Sequence, residues 1–97
     1  MELGLKGKKV ILSGGSRGIG LAIVTKFLEE GAQVAFFARG QEGVDAAQES
    51  LSDKGVIYGA AVDAADHAAV RKWVAQAASQ LGGIDIVVNN TSASASV

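Results

Sequence analysis

Gly14, Gly18 and Gly20 follow the apolar run Val10-Ile11-Leu12-Ser13 at the spacing G-x-x-x-G-x-G, and a segment of helical periodicity begins at once behind them. A strand that empties through glycine into a helix start is suited to holding an anion. The first backbone N–H groups of a helix have no intrahelical partner and carry the positive end of its dipole, so a phosphate seats there if no side chain blocks its approach. The same residues also satisfy G-x-S-x-G through Gly14, Ser16 and Gly18, the strand-to-helix turn that presents a serine nucleophile in α/β-hydrolases. That chemistry needs an acid and then a histidine on later strands. His67 is the one histidine and the motif sits on the first strand, so the order of elements argues against a serine hydrolase. A Walker phosphate loop is excluded, because no Lys-Ser or Lys-Thr follows Gly18.

The spacing differs from the G-x-G-x-x-G dinucleotide fingerprint. It resembles that of the short-chain dehydrogenase/reductase family, and the resemblance extends over nearly the whole chain through Gly31-Ala32, Arg39, Val62-Asp63 and the run Gly82-Gly83-Ile84-Asp85-Ile86-Val87-Val88-Asn89-Asn90. The loop Gly14-Gly15-Ser16-Arg17-Gly18-Ile19-Gly20 is most similar to those of 3-oxoacyl-carrier-protein reductases and related ketoreductases. The resemblance implies a Rossmann-like fold and an enzyme that moves hydride between a nicotinamide dinucleotide and a carbonyl or alcohol. It assigns Gly14, Gly18 and Gly20 to the tight turn, close cofactor approach and helix packing, with Ser16 and Ile19 lining the same loop. Asp63 corresponds to an acid that accepts from the adenine amino group, Ala64 beside it contributes backbone, and Asn89 supports the strand end and touches the ribose. A helix cap or turn residue is the plainer alternative for Asp63.

Arg39 falls just past the second apolar run, where such folds bring the chain beside the adenosine ribose, and the preceding residue is Ala38. An acid there would bond the 2′-hydroxyl of NAD and repel a 2′-phosphate. With alanine in its place, and Arg17 in the loop, a guanidinium grip on phosphate favours NADP(H) over NAD(H). Solvated surface arginines are the plainer alternative. The family's Asn-Asn-Ala-Gly segment here reads Asn89-Asn90-Thr91-Ser92, which places a β-carbon where backbone should pass close to the cofactor. The family's catalytic tyrosine, the lysine four residues after it and the serine have no counterpart at a matching position. Tyr58, the one tyrosine, is followed four residues later by Val62.

These residues require a frame that delivers them to one edge. Lys8 to Ser13, Gln33 to Ala38, Val56 to Val62 and Ile84 to Asn89 read as strands. Helical spacing places helices over Arg17 to Glu30, about Glu42 to Ser52, and from Asp66 as N-cap to Gly82-Gly83, with Gly31 and Gly55 as stops of the first two. Alternating strands and helices with short connections predict a doubly wound α/β sheet of order 3-2-1-4 with three helices, the first two on one face and the third on the other. This is the amino-terminal half of such a fold, in one domain over residues 1–97. The third helix should bury Val70, Trp73, Val74 and Leu81, and His67 should be exposed.

Composition narrows the partners. With 9 Lys plus Arg against 10 Asp plus Glu and a pI near 5.7, the chain has no electrostatic footprint for nucleic acid or an anionic membrane. It holds no cysteine and one histidine, which excludes thiolate chemistry and a multi-histidine metal site. No run approaches membrane-spanning length and the start lacks the apolar core of a signal peptide, so a cytoplasmic location is expected. A half sheet is expected to be modestly stable and to self-associate through its open edge and third-helix face. The expected function is the NADP-binding portion of an oxidoreductase, with a nucleotide-binding module lacking catalysis as the alternative.

Overall fold

A computed structural model of the chain describes residues 4–14 and 18–90. Its elements run β1 (Lys9–Ser13), α1 (Gly18–Glu29), β2 (Gln33–Ala38), α2 (Gln41–Leu51), β3 (Ile57–Ala61), α3 (His67–Leu81) and β4 (Ile86–Asn89). All neighbouring strands pair in parallel, in the order β3-β2-β1-β4, as the alternation of elements predicts. A parallel sheet hides both faces under its crossover helices. Hence Val34 to Ala38 of β2, an unbroken apolar run, is buried at every position.

Each face has its own core. On one, Val24 and Leu28 of α1 and Val44, Ala47 and Leu51 of α2 pack on Val10, Leu12, Val34 and Phe36. On the other, Trp73, Ala77 and Leu81 of α3 pack on Ile11, Ala35 and Phe37, with Val70 and Val74 partly buried beside them. The Phe37 and Trp73 rings meet edge to face with centroids 4.9 Å apart, an arrangement that suits the aromatic quadrupoles. Val87 pairs with Ile11 and so points to this second face, where it is 69% exposed. Among the described residues α3 alone covers that side, and it stops short of β4.

Helix ends follow local chemistry. Asp66 accepts from the Ala69 N–H at 3.1 Å, capping α3, and Gly82 at φ 81° lets its own N–H and that of Gly83 both reach the Ala78 carbonyl. α1 closes at Gly31, whose N–H donates to the Leu28 carbonyl. α2 differs from the expected stop: it ends at Leu51 with a right-handed Ser52 as C-cap, and Gly55 lies beyond in the following turn, against Leu28. β4 also begins later than the apolar run, because Asp85 exchanges two bonds with Lys9, its Oδ2 accepting at 2.9 Å and its N–H donating at 2.7 Å. This clamp leaves Ile84 and Asp85 outside the regular ladder. No helix among the described residues is long and apolar enough to cross a membrane.

Candidate functional site

The parallel sheet places every strand's carboxyl end on one side. Ser13 pairs in register with Phe37 and with Asn89, while Ala38 pairs with Ala61. The residues that directly follow, Gly14, Arg39 and Val62-Asp63, therefore line one edge. Open α/β sheets take ligands there, in the crevice outside the strand ends.

The glycine turn is built by close approach. Gly14 has φ 80°, a left-handed backbone that disfavours a side chain. Its N–H donates to the Phe37 carbonyl at 2.7 Å. A β-carbon on Gly20 would overlap the Gly14 carbonyl oxygen and lie 2.6 Å from Asn90 Nδ2. α1 therefore sits directly on the turn, which only glycine permits. Gly18, at φ 61°, has none of the described residues' atoms within 4 Å of the position its β-carbon would take. Ile19 next to it is a large apolar side chain left 73% exposed. Ser16 and Arg17 lie outside the described residues, as do Thr91 and Ser92.

Two residues that sequence reasoning passed over fasten this turn to β4. Ser13 Oγ donates to Asn89 Oδ1 at 3.0 Å and accepts from the Asn90 N–H at 2.9 Å. Asn90 Nδ2 donates to the Gly14 carbonyl at 3.2 Å. One hydroxyl and one carboxamide thus tie two strand ends to the glycine turn. The available signal was the switch from apolar to polar at the last residue of β1 and of β4, since a polar group ending a buried strand needs a partner.

Arg39 is exposed at the end of β2, one residue beyond the buried Ala38. Asp63 is exposed, and its Oδ1 accepts from the Ala65 N–H at 2.9 Å while its carbonyl accepts from the Asp66 N–H. Its side chain thus shapes the turn into α3. Ala64 joins Ser13, Trp73, Val74, Val87 and Asn89 around a cavity of about 250 Å³ on the α3 face. His67 is exposed at the start of α3, and Tyr58 is half-buried against the α3-side core. Neither stands near the glycine turn in sequence or register. Among the described residues no three His, Asp or Glu side chains gather to hold a metal ion.

A strand-turn-helix with a glycine-packed first turn at the carboxyl edge of a 3-2-1-4 parallel sheet defines a Rossmann-like dinucleotide-type fold. The chain belongs to the short-chain dehydrogenase family, whose model matches residues 8–97. It is 44% identical over 91 residues to the 3-oxoacyl-acyl-carrier-protein reductase FabG of Chlamydia pneumoniae, covering 93% of this chain and 37% of that protein. Its structure is similar to that of the L-sorbose reductase of Gluconobacter frateurii, solved with NADPH and L-sorbose, at TM-score 0.86 and 38% identity, covering 95% of this chain and 36% of that one. A short chain dehydrogenase from Burkholderia cenocepacia in complex with NADP aligns at TM-score 0.84 and 37% identity over 90% of this chain and 36% of that one. The chain spans little more than a third of the length of these relatives.

Proposed function

We propose that the chain binds NADP(H) along the carboxyl edge of its sheet and forms the cofactor-holding part of an oxidoreductase acting on a carbonyl or alcohol. The observation that carries this reading is the fit of Gly20 against Gly14, which sets the start of α1 directly on the carboxyl end of β1. The two solved relatives that hold NADPH or NADP support it. Bound there, the nicotinamide would accept or supply the hydride.

The protein's own residues have separate tasks in this arrangement. Gly14, Gly18 and Gly20 shape the turn, and Ser16 and Ile19 line it. Arg17 and Arg39 supply positive charge where a 2′-phosphate would lie. Asp63 and Ala64 bound the adenine end through a carboxylate and backbone, and Asn89, held by Ser13, faces the ribose. The absence of an acid at Ala38 removes the group that would select the free 2′-hydroxyl of NAD.

Replacing Arg39 with alanine tests the cofactor preference. A charge-assisted hydrogen bond contributes about 1.5 to 3 kcal/mol, so NADPH affinity should fall by roughly one to two orders of magnitude. NADH affinity should hardly change. Equal losses for the two cofactors in calorimetric titrations would remove Arg39 from the 2′-phosphate site.

A further inference from the structure

Among the described residues the sheet's two outermost strands, β3 and β4, are not alike. β3 gives Val56 and Val62 to β2, the Val56 carbonyl accepting from the Val34 N–H and the Val62 N–H donating to the Ala38 carbonyl. Backbone direction alternates along a strand, so Ile57, Gly59 and Ala61 turn their N–H and carbonyl groups outward. A neighbouring parallel strand would bond there by giving one residue's N–H to the Ile57 carbonyl and taking the Gly59 N–H on that residue's carbonyl. Gln48 of α2 already does both: its Nε2 donates to the Ile57 carbonyl at 2.7 Å and its Oε1 accepts from the Gly59 N–H at 2.7 Å. On the opposite edge, among the described residues, no side chain hydrogen-bonds to the backbone of Ile86, Val87 or Val88.

We infer that the Gln48 carboxamide takes the place of a fifth strand's peptide on β3 and keeps that edge from pairing with a second copy of the chain. An unpaired edge is a template for another strand, and proteins block it with side chains or charge. Gly59 belongs to the same device, since a β-carbon there would meet Phe36 and Val44, and its bare backbone lies where the Gln48 amide reaches it.

Sedimentation of wild-type, Gln48→Ala and Gln48→Lys chains over a range of concentrations tests the inference. Both variants lose the acceptor for the Gly59 N–H, but lysine guards an edge by charge. The Gln48→Ala chain should grow with concentration into species at least about twofold heavier than the wild-type ones, with Gly59 amide exchange slowing as mass rises. The Gln48→Lys chain should sediment as wild type. A folded Gln48→Ala chain that sediments as wild type overturns the inference, and so does equal association of both variants, which is what a merely structural tie would give. Should alanine weaken the fold, Gln48→Met keeps the length and helix propensity while removing the hydrogen bonds. A folded methionine variant that sediments as wild type overturns the inference equally.

Discussion

Gly20→Ala should unseat the glycine turn, lowering stability by about 1 to 3 kcal/mol through overpacking alone, and it should abolish measurable NADPH binding. The added methyl would overlap the Gly14 carbonyl oxygen, a backbone atom that has no rotamer to escape into. Either α1 lifts from the strand end or the Gly14 peptide turns away. The second course breaks the bond from Asn90 Nδ2 and disturbs the anchor that Ser13 holds through the Asn90 N–H. Both courses move the first N–H groups of α1, which is why binding should suffer more than stability. Urea melts with parallel NADPH titrations read the two effects separately. A variant that melts and binds as wild type would show that the turn and helix are not packed as described.

The second large effect lies in the core under α3. Trp73 is 5% exposed and its ring meets Phe37 edge to face. Truncating such a side chain to alanine costs about 3 to 5 kcal/mol, the lost transfer energy plus the cavity left behind. An ordinary domain has a total of about 5 to 15 kcal/mol. The α3 face has little reserve, with Val87 uncovered and a cavity beside Val74, so Trp73→Ala should leave the chain largely unfolded at physiological temperature. Circular dichroism during thermal melting measures this. A cooperative melt shifted by only a few degrees would mean that α3 contributes little to the fold.

The features legible in the sequence are those set by neighbours along the chain. β2 is an apolar run because both of its faces are covered, and Asp66 and Gly82 cap α3 with groups within four residues of their partners. Strand order and helix sides follow from the handedness of parallel crossovers. The glycine spacing announced the turn, and the structure gives Gly14 and Gly20 the packing reason for it. Less legible were features that depend on register between distant strands. Ser13 meets Asn89 and Asn90 across 76 and 77 residues, and Asp85 meets Lys9 across 76, so neither pairing has a local signal. Gln48 reads on its own as an exposed helical glutamine. Its role appears only once α2 is laid along the outer edge of β3.

The central claim is that the carboxyl edge of this sheet holds NADP(H), and amide hydrogen exchange of the chain with and without NADPH tests it most directly. The account predicts slowed exchange at Gly14, Gly18 to Gly20, Arg39, Asp63 and Asn89. It predicts no change at Lys9, Gly82 and Asp85 on the opposite edge, and weaker protection with NADH at the same concentration. A folded chain whose carboxyl-edge amides exchange at the same rate with saturating NADPH as without it would contradict the account.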